Sequence, residues 1–171
     1  MRNYRSHRCA CRSAALRASV ALVVWLGATG IVAAQATTAA PHCRSIGGTV
    51  TTNFIDPTTT LGTATGDLAG AVSAVLLNVT FQDEQTGVFT VQHHWVTEAG
   101  DTVRVAVAHA VARQTAPNLF GIVSYPVTIT GGTGAFEGAS GMVTNIGAVD
   151  LNTGRTVFRY SGQLCLRAPA R

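Results

Sequence analysis

The sequence predicts an all-β domain, an eight-stranded antiparallel β-barrel that follows a leader. Three observations predict it. From residue 43 onward, short runs rich in Val, Ile, Thr, Phe and Tyr recur, and no segment keeps the period of an amphipathic helix. Turn residues punctuate those runs at Asp56-Pro57, Gln85-Thr86-Gly87, Glu98-Ala99-Gly100, a loop at Pro117, and Asn152-Thr153-Gly154. Five glycines fall within eleven residues, at Gly131, Gly132, Gly134, Gly138 and Gly141. Such a run lets the chain end one strand, cross over and start the next, because glycine accepts positive φ and close backbone approach.

Residues 1–36 read as a cleavable signal peptide. Arg2, Arg5, Arg8, Arg12 and Arg17 form a basic n-region, an apolar run covers 20–26 and extends through Ile31 to Ala34, and Ala34-Gln35-Ala36 supplies a small-x-small cleavage site. A retained membrane anchor is the alternative, since no charge occurs between Arg17 and Arg44; Gly27, Thr29 and Gly30 weaken it. All twelve basic residues are arginines, and without the leader's five the remainder carries seven arginines against eight acids. The formal charge of +4 therefore belongs to the leader, which removes the case for a nucleic-acid partner. The expected location is extracytoplasmic, secreted or periplasmic, with no stable membrane partner after cleavage. A Thr/Ala/Pro linker at 37–42 leads into the barrel domain, 43–167.

Cys9 and Cys11 leave with the leader, so the mature chain keeps Cys43 near its start and Cys165 near its end. An even pair in an exported domain invites a disulfide, with two separate buried thiols as the alternative. A bridge would tie the first strand to the last, where an up-and-down barrel closes.

Strands are expected over 46–55, 61–67, 69–82, 88–97, 102–113, 120–130, 142–151 and 155–166. Eight antiparallel strands with short connections close a small barrel and leave no edge; a two-sheet sandwich is the structural alternative. One hairpin can be set in register from pattern. With Gly100 as the left-handed residue of a three-residue loop, Thr97 pairs with Asp101. Phe89, Val91, His93 and Trp95 then share an apolar face with Val103, Val105, Val107 and His109, and a buried face fixes register. The same alternation puts Val123, Tyr125, Val127 and Ile129 on one apolar face of the sixth strand. Pro126 falls on the other side, where its missing amide hydrogen implies a bulge or an unpaired position. Phe158, Tyr160 and Leu164 line one face of the last strand.

Four segments carry a family resemblance: Gly62-Thr63-Ala64-Thr65-Gly66-Asp67-Leu68-Ala69-Gly70, the hairpin from His93-His94-Trp95 to Gly100-Asp101, the run Gly131 to Gly141, and Arg159-Tyr160-Ser161-Gly162-Gln163-Leu164-Cys165. In these the chain resembles the bacterial allene-oxide-cyclase-barrel-like proteins, distant relatives of plant dirigent proteins. The resemblance implies an eight-stranded barrel with a central cavity and a homo-oligomer, dimer or trimer. Plant members are cyclases or guides of radical coupling. Their catalytic acids match no position here, so no catalytic role is transferred.

His93, His109, Tyr125, Trp95, Phe89 and Tyr160 are the cavity and ligand candidates, each on an apolar side of its strand. His93 and His94 cannot share an ion, because strand neighbours point to opposite faces. His93 with His109 lacks a carboxylate or cysteine to complete a ligand set, so no metal is assigned. Asp67 and Glu137 border glycine-rich turns and are candidates for a barrel mouth, the alternative being turn carboxylates that bond nearby amides. No nucleophile elbow or phosphate loop occurs, and no cofactor is assigned. The functional expectation is a barrel that binds a small hydrophobic molecule in its centre, with a cofactor-independent cyclase or isomerase as its catalytic form. The alternative is a structural or interaction barrel with a packed core.

Overall fold

The computed structural model describes residues 41–167; the expected signal peptide and cleavage site, and the expected linker as far as residue 40, lie outside the described residues. Alternating β-branched and aromatic residues form β1 (His42–Phe54), β2 (Thr59–Ala64), β3 (Gly70–Phe81), β4 (Thr86–Thr97), β5 (Thr102–Val105), β6 (Ala108–Ala116), β7 (Leu119–Ser124), β8 (Pro126–Gly132), β9 (Ser140–Asp150) and β10 (Arg155–Leu166). β4 pairs with both β5 and β6, which are halves of a single barrel strand. β9 pairs with both β7 and β8, which are halves of another. The described strands thus fill eight positions of a closed antiparallel barrel, the architecture expected from the sequence.

Closure runs through β1 and β10, paired from His42↔Leu166 to Asn53↔Arg155. Cys43 and Cys165 face each other in that ladder and form a disulfide. Strand ends differ from expectation where carboxylates claim amides. Asp83 accepts from the amides of Gln85 at 2.8 Å and Thr86 at 2.7 Å, which draws the turn back and starts β4 at Thr86. Asp67 lies in a 3-10 turn, Gly66–Leu68, beyond the end of β2.

The β4–β5 hairpin has the expected register. Thr97 N donates to Asp101 O at 2.8 Å, Trp95 pairs with Val103, and Gly100 has φ +87°. Past Val105 the register slips by one residue, because Thr90 pairs with His109 and Val91 with Ala108. The extra residue lies at Ala106-Val107. It turns Ala108, Ala110 and Ala112 inward, leaves Val107 46% exposed, and sends His109 to the outer face. His109 therefore does not line the interior; its Nδ1 lies 3.2 Å from Thr90 Oγ1 on the outside.

A second slip corrects the sixth strand. Val111 pairs with Ser124 but Ala112 with Ile122, so Val123 bulges out and is 65% exposed while Ile122 faces in. Tyr125, Val127 and Ile129 are buried as expected. Pro126 is exposed and follows this break directly, at a site that needs no amide donor.

One end of the barrel is plugged. Leu68, from the Gly66–Leu68 turn, and Phe136, from a second 3-10 turn at Gly134–Phe136 in the glycine-rich run, pack with Ile46, Ala139 and Leu164. Aromatic side chains hold the plug by its backbone: Leu68 N donates to Tyr160 Oη at 2.9 Å, Tyr160 Oη donates to Thr65 O at 2.9 Å, and Trp95 Nε1 donates to Leu68 O at 2.8 Å. Gly48 is required beneath this clamp, since a Cβ there would collide with the Thr65 carbonyl oxygen and the Tyr160 ring.

Replacing both Cys43 and Cys165 with Ala is expected to lower unfolding free energy by about 4 to 5 kcal/mol, because the bridge closes a loop of on the order of 100 residues. Guanidinium denaturation checks this, with an unchanged far-ultraviolet spectrum showing that the barrel still forms.

Candidate functional site

Above the plug the interior is incompletely filled. A cavity of about 110 Å³ runs along the barrel axis between Val72, Trp95 and Val127 and the far end, where Phe54, Thr58, Leu76, Phe89, Ile122 and Val149 line it. Those end residues are partly or fully exposed, so the cavity is reached from the end opposite the plug. A space of this size is smaller than the apolar cavity of about 150 Å³ that accepts benzene, so one small ring reaching toward the open end is the most it takes. It falls below the roughly 300 Å³ at which sites for larger ligands begin.

The wall is apolar except for a few groups. Tyr125 Oη lies 2.7 Å from His93 Nε2, and the two rings tilt across 5.7 Å. The Phe158 ring meets Tyr125 edge-on at 5.8 Å. Thr52 and Thr156 are buried with their hydroxyls 2.7 Å apart. His93 Nδ1 is sealed from solvent and has no hydrogen-bond partner among the described residues. Burial, and secondarily the neighbouring His94, hold the His93 imidazole down at about 4, from 6.5 ordinarily. Burial pushes the Tyr125 phenol well above its ordinary range. Both rings are therefore neutral at neutral pH.

The two strand breaks position this pair. Gln92, His93 and His94 have no ladder partner on the β5/β6 side, because the slip at Ala106-Val107 falls beside them. The Gln92 side chain fills in, its Nε2 donating to His93 O at 3.0 Å and to Val105 O at 3.3 Å. Tyr125 sits in the gap between β7 and β8, and its carbonyl accepts from Asn145 N at 3.0 Å and Asn145 Nδ2 at 3.1 Å. The carbonyls of His93, Val105 and Tyr125 at these breaks each find a donor, as burial demands.

The remaining sequence candidates separate. Phe89 lines the cavity and packs edge-to-face on Phe120. Trp95 also lines it, but its indole N–H is committed to the plug. Tyr160 lies below, 1% exposed, with its hydroxyl spent on Leu68 and Thr65. Asp67 and Glu137 stand at the plugged end, away from the opening, which corrects their reading as mouth residues. Asp67 is a turn carboxylate: the Gly47 amide and then the Arg44 guanidinium hold it below its ordinary range. Asn145, Thr52, Thr60 and Thr156 line the cavity and were not singled out from the sequence. Strand alternation from Val143, Val50 and Phe158 would have placed Asn145, Thr52 and Thr156 inside.

No protein-family model matches the chain, and no curated protein matches its sequence. Among solved structures, the pterocarpan synthase dirigent protein GePTS1 is similar over 90% of this chain and 98% of that chain, at 12% identity and a TM-score of 0.35. At that distance neither residues nor activity carry over.

The His93 environment sets a pH dependence. Its folded pKa of about 4 lies below the unfolded 6.5, so above pH 6.5 both states are neutral and stability is flat. As pH falls toward 4 the unfolded chain gains a proton that the folded chain refuses, and about 3 kcal/mol is lost. His93→Phe is expected to flatten stability over that window, measured by urea denaturation at a series of pH values.

Proposed function

We propose that this protein is an exported barrel that holds a small apolar molecule, about one ring in size, non-covalently in its interior. The observation that carries this reading is the unfilled, apolar centre, closed at one end by Leu68 and Phe136 and open at the other, with a neutral His93–Tyr125 pair in its wall. Small side chains make that space: Ala74 and Ala110 line it where larger residues would fill it. Exposed Ile55, Phe81 and Leu151 border the open end, an apolar approach suited to an apolar guest. Export rests on the leader, and the Cys43–Cys165 bridge supports it, since disulfides persist in oxidising compartments.

Binding is favoured over cyclisation or isomerisation by the chemistry of the wall. The residues that line the cavity include no carboxylate, guanidinium or thiol. Three aspartates at the open end are occupied locally: Asp56 accepts from the amides of Thr58 and Thr59, both at 2.8 Å, Asp83 from those of Gln85 and Thr86, and Asp150 from the Asn152 amide at 2.9 Å. A neutral imidazole and a neutral phenol orient a guest, but offer no group poised near neutral pH for proton transfer. The unfilled space weighs against a purely structural barrel with a packed core.

Toluene or cyclohexane added to the purified protein is expected to raise its melting temperature and shift methyl resonances of Val72, Val127 and Val143. Ala74→Leu should abolish both effects while the barrel still folds. Identical responses in the variant and the parent would place binding elsewhere and overturn the reading.

A further inference from the structure

Proton counting at the His93–Tyr125 pair specifies the guest further. A neutral imidazole carries one N–H and a phenol one O–H. The single 2.7 Å contact between Tyr125 Oη and His93 Nε2 uses one of these protons and leaves the other without an acceptor. If Tyr125 donates, the ring proton sits on Nδ1, which is sealed in the wall with no partner among the described residues. If Nε2 donates, Nδ1 is a bare lone pair and the left-over proton is the phenol's, on a hydroxyl free to turn about its C–O bond toward the cavity that Tyr125 lines. Nδ1 is unpartnered in either tautomer, but only the second form moves the spare proton out of the sealed wall, onto a rotatable O–H at an open cavity that keeps access to a partner.

Resting on the binding reading above, we propose that His93 is the Nε2–H tautomer, that it fixes Tyr125 as a hydrogen-bond donor toward the cavity, and that the guest is an acceptor: a ring-sized apolar molecule carrying one carbonyl or ether oxygen. Asn145 supports the geometry by holding the Tyr125 backbone at the strand break, through two bonds to its carbonyl.

Cyclohexanone and its hydrocarbon counterpart methylenecyclohexane test this as a mutant cycle, in which each probe's own hydration cancels between parent and variant. Tyr125→Phe is expected to weaken cyclohexanone binding about tenfold and leave methylenecyclohexane unchanged, as suits the loss of one hydrogen bond. Nitrogen-15 shifts of the imidazole in the parent protein should show a protonated Nε2 and an unprotonated Nδ1, a readout that does not require the variant to fold. Equal losses for both probes, no loss for either, or a protonated Nδ1 overturns the proposal while the cavity reading stands. Failure of both probes to bind the parent protein overturns both.

Discussion

Closure of the sheet between β1 and β10 is the constraint on which the rest of the structure depends. Once the last strand pairs with the first along its full length, every inward side chain points at one shared axis and no edge remains to absorb irregularity. An extra residue in any strand must then be taken up inside the ladder as a bulge. Of the several bulges in the described strands, those at Ala106-Val107 and at Val123 fall in neighbouring strands, and their effect is chemical as well as geometric. They break the backbone ladder beside His93 and Tyr125, and so set a polar pair into an otherwise apolar wall.

The plug explains why the unfilled space lies toward one end. Both turns that carry Leu68 and Phe136 are rich in glycine, which lets the backbone fold under the barrel and present a single large side chain upward. Tyr160 and Trp95 commit their polar atoms to the Leu68 turn and so fasten the floor, while the Trp95 ring still forms part of the cavity wall. The opposite loops are built differently. Asp56, Asp83 and Asp150 each fold a short turn on its own amides, and none sends a large residue back over the axis.

Most of the architecture could be read from alternation and turn chemistry. The order of strands, the loop at Gly100 with its Thr97–Asp101 pairing, and the cysteines at the seam all follow from local pattern. The inward face of β4 could be read as well: Phe89, His93 and Trp95 stand where period-two alternation puts them. His109 could not, because a one-residue slip inverts every side chain beyond it. Nothing in Val105-Ala106-Val107-Ala108 marks the slip: the residues are small, apolar and able to face either way. Pro126 did signal a defect in its strand, but the displaced residue was Val123, three positions before it. Asp67 and Glu137 were placed in turns correctly, yet which end of a barrel is plugged depends on how Leu68 and Phe136 pack, a tertiary fact with no local signature.

The interior carries costs that a packed barrel would not. At about 24 cal/mol per Å³, the cavity of about 110 Å³ forgoes about 3 kcal/mol of packing. The unpartnered imidazole nitrogen forgoes about 1 to 3 kcal/mol more. Together these are comparable to the roughly 4 to 5 kcal/mol that the disulfide contributes by restricting the unfolded chain. The seam and the cavity are in this sense coupled: covalent closure offsets a centre left unfilled and a histidine left unsatisfied. Enlarging Ala74 or Ala110 would stabilise a barrel whose only task was to stay folded. Small residues stand there instead, around a neutral polar pair beside two strand breaks, and this is the feature on which the proposed guest-binding role rests.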